Sequence, residues 1–293
     1  MGPSSAAETI TRLPALAPRR ADSNKGDFGR VLVVAGSRGM SGAAILCATA
    51  ALRGGAGLVR VAVPAGILPI VAAGNPCYMT APLPEDEAGR LSDGGAAELL
   101  ALAGASDVVA AGPGLSRADG ISRLVTTLVE RGEGPLVLDA DGLNALAGHT
   151  EVLRRRAAAG RAAVLTPHPG EFARLAGTDI PTVQANRREM AVRFAADNGA
   201  VLLLKGHGTL VTDGRRLYQN PTGNPGMATG GSGDVLTGLI AALLGQGLPP
   251  FEAAQLGAYL HGLAGDLARA DIGEVSLIAT DLLTYLARAL RNL

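Results

Sequence analysis

The chain repeats one short apolar pattern. Runs rich in Val, Leu and Ala occupy 30–35, 57–63, 107–111, 135–139, 162–166 and 200–204, and most of them give way to glycine, proline or a charged residue. Each is apolar at successive positions rather than at alternate ones, as in strands covered on both faces of a parallel sheet. Between them lie stretches with helical spacing: 43–53, a helix opening at 169, a long one over 181–198, then 235–244, 250–269 and 280–290. Leu210–Thr212, Asp213-Gly214 and Leu217–Gln219 read as a hairpin with a type I′ turn. Strand alternating with helix predicts a doubly wound, mainly parallel α/β sheet with helices on both faces. Residues 64–95 hold short pieces that the pattern does not place. Residues 1–24, rich in Ala, Pro and Ser, read as a loosely held tail ahead of one domain over 25–293.

The richest stretch is Asn220-Pro-Thr-Gly-Asn-Pro-Gly-Met-Ala-Thr-Gly-Gly-Ser-Gly-Asp234, which runs directly into the apolar helix at 235. Small residues bring bare backbone to a ligand, and the helix adds its positive dipole end. Gly231, Ser232 and Gly233 therefore predict an anion hole for phosphate. A carboxylate is repelled there, so Asp234 reads as a base that takes a proton from a hydroxyl attacking phosphorus. The bland reading is that Asp234 caps the helix.

Composition narrows the choices. Twenty-six basic residues balance 26 acidic ones, so no charge footprint for nucleic acid or a membrane surface is expected. Two cysteines in no partner motif and no leader pattern point to the cytoplasm. The basic residues are nearly all arginine, and Lys25 and Lys205 are the only lysines. A lysine at a strand end, in Lys205-Gly-His-Gly-Thr209, suits a phosphate.

Other strand ends carry candidates too. Gly36-Ser-Arg-Gly-Met-Ser-Gly42 is neither a P-loop, since Ser41 stands where the second Gly belongs and no Lys follows, nor a dinucleotide fingerprint, which Arg38 breaks. Gly112-Pro-Gly114 fixes a bend at another strand end. Asp139 and Asp141 form a carboxylate pair beside the expected phosphate, which suggests Mg²⁺, though Asp141 also suits a helix cap. Glu171 suits the first turn of the helix opening at Pro169. His261 reads as a buried structural group.

Asn224-Pro-Gly-Met-Ala-Thr-Gly-Gly-Ser-Gly-Asp-Val-Leu-Thr-Gly238 and His168-Pro-Gly-Glu171 resemble the signatures of the NAD(P)H-hydrate dehydratases, and the likeness runs from Lys25 to the C-terminus. That resemblance implies a ribokinase-like fold and the repair of NADHX and NADPHX with ADP or ATP. It implies that Ala43, Gly114, His168 and Asp234 hold the damaged cofactor, and that Lys205, Gly206, His207, Gly208, Thr209 and Gly233 hold the nucleotide. Related kinases carry Asn-x-x-Glu where this chain has His168-Pro-Gly-Glu171, and by that likeness Glu171 acts on Mg²⁺ through water. A homotetramer, and a separate epimerase in place of the fused one found in some members, are further implications. The rivals are a vitamin-precursor kinase of the same fold and a nucleotide-binding regulator without chemistry.

Overall fold

The computed structural model describes residues 7–291. Ten strands form one sheet: β1 (Glu8–Thr9), β2 (Arg30–Val34), β3 (Leu58–Pro64), β4 (Met79–Leu83), β5 (Val108–Ala111), β6 (Leu136–Leu138), β7 (Ala163–Leu165), β8 (Val201–Leu204), β9 (Leu210–Thr212) and β10 (Arg216–Gln219). Their order is β1-β10-β9-β8-β7-β6-β5-β2-β3-β4. Among the described strands, β9 alone runs against its neighbours. From β2 the chain steps outward to β3 and β4, then returns to β5 on β2's other side. That reversal makes β2/β5 the switch point, where open α/β sheets hold ligands beyond their strand ends.

Successive residues of β2 face opposite layers. Val31 and Val33 join the core formed with the helices Ser41–Arg53, Ser232–Gly245, Pro250–Ile272 and Ala279–Arg291. Leu32 and Val34 join the core formed with Asp119–Arg131, Glu151–Ala158, Pro169–Ala176 and Arg187–Asn198. Both faces are dry, which explains why these strands read as unbroken apolar runs.

Three expectations change. The long helix over 181–198 is two, Ile180–Ala185 and Arg187–Asn198, because Asn186 leaves helical geometry (φ −129°, ψ 30°). The β9–β10 turn is not type I′: Gly214 takes positive φ (87°) but Asp213 does not, and Asp213 instead accepts the amides of Arg215 (2.9 Å) and Arg216 (2.7 Å). The unplaced 64–95 segment contains the helix Leu68–Gly74 and the edge strand β4.

The tail also departs from expectation. Residues 1–6 lie outside the described residues, but from residue 7 onward the chain lies against the domain. β1 extends the sheet beside β10, and Ile10, Leu13 and Leu16 pack on the core. Gln255 Nε2 donates to the Arg12 carbonyl at 2.8 Å, and Arg19 lies 3.8 Å from the centroid of the Phe28 ring. Proline and alanine in this stretch hide an edge strand and an apolar row spaced three residues apart. No helix among the described residues is long and apolar enough to cross a membrane.

Candidate functional site

The switch point brings together the first predicted pair. The loops after β2 and β5 are joined by Gly36 N donating to Pro113 O and by Ser37 Oγ donating to Gly114 O, both at 2.8 Å. Gly114 takes φ +65°, and a Cβ there would lie 2.9 Å from the Ala43 Cβ and 3.1 Å from the Met40 carbonyl oxygen. Ala43 and Gly114 thus form one wall, and only glycine fits at the second position. Ser116 (φ 68°) and Ala140 (φ 51°), both non-glycine residues in left-handed geometry, stand at the ends of β5 and β6. Strain of this kind gathers at functional sites.

The second group gathers where the Ser232–Gly245 helix begins. A Cβ on Gly233 would lie 3.1 Å from Lys205 Nζ and 3.3 Å from Asp139 Oδ2. The lysine ammonium therefore stands over the glycine loop, as the anion reading requires. Gly230 has open space around its α-carbon. The loop is pinned from behind: Asp266 accepts Gly223 N (2.9 Å) and Asn224 Nδ2 (3.0 Å), and buried Asn220 Nδ2 donates to the Thr222 and Ala258 carbonyls.

Asp234 lies half-buried in the first turn of that helix. Burial, then the neighbouring Asp139 carboxylate, pushes its pKa up to about 7, against the opposing pull of Lys205. A carboxylate tuned to neutral pH is an effective proton acceptor there. Lys205 is pulled down by burial, but Asp139 and Glu171 more than offset this, so its ammonium keeps its charge more firmly than usual.

His168 occupies the N-cap of the Pro169–Ala176 helix. Its Nδ1 accepts the amides of Gly170 (3.0 Å) and Glu171 (3.4 Å), and Glu171 Oε2 accepts the His168 amide (2.8 Å), a reciprocal capping box. The proton therefore sits on Nε2, 3.3 Å from Glu171 Oε1. Burial, with Lys205 and Arg174 adding, lowers the His168 pKa, so the ring is neutral and half-exposed at the rim. The sequence did not foresee that this side chain caps the helix, because His is an uncommon N-cap.

In the Lys205–Thr209 loop, Thr209 Oγ1 closes the turn onto Gly206 O (2.9 Å) and His207 is exposed. Arg187 Nη2 donates to the Leu204 and Lys205 carbonyls, which fixes the loop's root. Asp141 does not cap its helix. It accepts Ser116 N (2.8 Å) and Asn144 Nδ2 (3.1 Å) and so ties β6 to the β5 loop.

The carboxylates do not fit a resident metal ion. Asp139 pairs with Lys205 Nζ at 2.7 Å and accepts Thr237 Oγ1 at 2.8 Å. Both oxygens of Glu171 face His168. Among the described residues, no group of three or more His, Cys, Asp or Glu is placed to hold a metal. A cleft of about 310 Å³ under the N-terminal segment, bordered by Leu13, Phe251 and Gln255, touches none of the predicted site residues.

Residues 31–288 match the family model described as NAD(P)H-hydrate dehydratase. The chain belongs to that family. A bifunctional NAD(P)H-hydrate repair enzyme of Moorella thermoacetica is 53% identical over 279 residues, covering 94% of this chain and 52% of that protein. The chain spans about half the length of that relative and of the other bifunctional repair enzymes it matches. An ADP-dependent (S)-NAD(P)H-hydrate dehydratase of Neisseria meningitidis is 42% identical over 288 residues, covering 97% of this chain and 93% of that one. Among solved structures, the ADP/ATP-dependent NAD(P)H-hydrate dehydratase of Bacillus subtilis, co-crystallised with ATP and Mg²⁺, superposes with a TM-score of 0.81 at 31% identity over 94% of each chain. The fold this dehydratase family member adopts is ribokinase-like.

Proposed function

We propose that the chain restores hydrated nicotinamide cofactors, dehydrating the S form of NADHX and NADPHX to NADH and NADPH with ADP or ATP as phosphoryl donor. The observation that carries this reading is Asp234, a carboxylate raised to about 7, beside a lysine ammonium that stands over a glycine-lined helix start. The near full-length match to the Neisseria enzyme supports the substrate and the donor.

The chemistry divides as follows. Hydroxide is a poor leaving group, so the ring hydroxyl is first phosphorylated. Asp234 takes the hydroxyl proton as the oxygen attacks the terminal phosphorus, and the bond to the departing nucleotide breaks. Amides of Gly231, Ser232 and Gly233 and the Lys205 ammonium take up charge on the moving group. The ring C–O bond then breaks, phosphate leaves with the electron pair, and the adjacent ring carbon gives up a proton to restore the double bond. The loop Lys205–Thr209 with Gly233 holds the nucleotide. Ala43, Gly114 and the exposed side of the His168 ring hold the damaged cofactor. Mg²⁺ enters as the counter-ion of the nucleotide, since Glu171 and Asp139 are already engaged. The enzyme acts in the cytoplasm as a homotetramer, alongside an epimerase activity that supplies the S form.

The test is absorbance of reduced nicotinamide with NADHX, Mg²⁺ and either ADP, ATP or neither. A rise that requires nucleotide is expected. No rise with either nucleotide overturns the reading in favour of a small-molecule kinase.

A further inference from the structure

Lys205 is the cation of the phosphate site, yet a lysine stem is flexible and its head group is free to wander. What holds it is Asp139, only 1% exposed and set just past the end of β6. Asp139 Oδ1 lies 2.7 Å from Lys205 Nζ, and Oδ2 accepts the hydroxyl of Thr237 at 2.8 Å. Thr237 is fully buried, one helical turn past Gly233, and its hydroxyl also lies 3.1 Å from the Gly233 carbonyl oxygen. One carboxylate thus joins the end of β6, the end of β8 and the helix that opens the anion site.

The backbone of Asp139 is fixed as tightly as its side chain. Its amide donates to Ala111 O (3.1 Å), and its carbonyl accepts Gly142 N (2.9 Å). That carbonyl also fills the space beside Gly112, where a Cβ would lie 1.8 Å from it. With both side-chain oxygens engaged and almost no exposure, Asp139 has no free face to offer a ligand. Without it, the nearest carboxylate to the ammonium is Glu171 at 3.9 Å, and closer contact there would move Nζ from its present seat.

We propose that Asp139, held in place by Thr237, is a positioning residue that aligns the Lys205 ammonium with the glycine loop before the nucleotide arrives, a role that rests on the dehydratase reading above. Its effect on nucleotide binding runs through Lys205, while its charge separately helps to raise Asp234. Its loss therefore weakens nucleotide capture and leaves recognition of the damaged ring unchanged. Removing one partner of a buried ion pair leaves the other charge unpaired, so Asp139→Asn is expected to lower the melting temperature as well, and affinity is compared at a temperature where each variant is folded.

The experiment measures nucleotide KM, NADHX KM and ADP affinity by calorimetry on the whole chain, with melting temperature recorded for each variant. Asp139→Asn is expected to weaken ADP binding about tenfold, and Thr237→Val about threefold, with NADHX KM within about twofold of wild type. Thr237→Ser, which restores the hydroxyl, recovers the lost affinity. Asp139→Asn added to Lys205→Met causes no further loss, as expected when one residue acts through the other. Folded Thr237→Val and Asp139→Asn variants with wild-type ADP affinity overturn the proposal, as do fully additive losses in the double variant. If Asp139→Asn fails to fold, Thr237→Val and its serine counterpart decide the matter. Wild-type chain that binds ADP but leaves NADHX untouched overturns the dehydratase reading instead, and the calorimetry still judges the positioning role.

Discussion

His261 holds Ser232 from behind the glycine loop: its Nε2 lies 2.9 Å from the Ser232 carbonyl oxygen and 3.4 Å from the Ser232 hydroxyl. The ring is buried on the Pro250–Ile272 helix, and burial, with the Lys205 charge adding, pushes its pKa down to about 4. At neutral pH it is uncharged and donates its Nε2 proton to the carbonyl. His261 was expected to be a buried group, and it is buried against Ser232, in the loop proposed to form the anion site.

The titrations of His261 and Asp234 bear on stability with opposite signs. The histidine falls from an ordinary 6.5 to about 4 on folding, so the unfolded chain binds the extra proton, and stability is lost as pH falls from 6.5 through about 4. Asp234 rises from 3.8 to about 7, so the folded chain binds the extra proton, and stability is lost as pH rises through about 7. Between pH 4 and 6.5 the two slopes oppose. Asp234→Asn is expected to melt higher than wild type at pH 8 and to lose stability more steeply below pH 6.5. Melting curves from pH 4 to 8 check this, and parallel curves for the two proteins contradict it.

The same carboxylate is expected to set the pH range of activity. kcat/KM reports the free protein's essential groups, so it should fall tenfold per unit of pH below about 7 as Asp234 gains its proton. Asp234→Asn is expected to abolish turnover while ADP still binds in calorimetry. Surviving turnover in that variant excludes Asp234 as the base.

Gly114→Ala separates the two halves of the site. The new methyl would press on Ala43 and the Met40 carbonyl from a left-handed backbone. KM for NADHX should rise tenfold or more, a change of about 1.4 kcal/mol, with ADP affinity unchanged. An equal loss of ADP affinity places Gly114 with the nucleotide instead.

Arg156 offers a control far from the chemistry. It is 1% exposed, and its guanidinium donates to the carbonyls of Val129, Gly132, Gly134 and Ala162. Burial lowers its pKa to about 10, which leaves it charged at neutral pH. Arg156→Lys cannot reach all four acceptors and should lower stability by about 2–4 kcal/mol, with nucleotide KM unaltered. Thermal unfolding and steady-state kinetics read the two effects separately.

The strands were legible because a parallel sheet dry on both faces leaves an unbroken apolar record, as at Val31–Val34. The glycine loop and the helix after it were legible because small residues running into an unbroken apolar stretch leave a clear local record. What escaped depends on contacts between segments distant in the chain. Asp139 read as half of a metal-binding pair, since nothing local says that Lys205 and Thr237 lie against its oxygens. His168 gave no sign that its ring caps a helix, and Asn186 gave none that a long amphipathic stretch breaks in two. The leading segment looked loose because the edge it covers, β10, is formed by residues some 200 positions later.

A chain with two lysines is nearly blank to amine chemistry. Lys25 is exposed, whereas Lys205 is mostly covered and held as an ammonium by Asp139 and Glu171. An acylating reagent should therefore tag Lys25 at once and Lys205 only slowly. The mass added at Lys205, followed over time, becomes a clock for how often the ammonium leaves its seat, and it runs without any substrate in the tube.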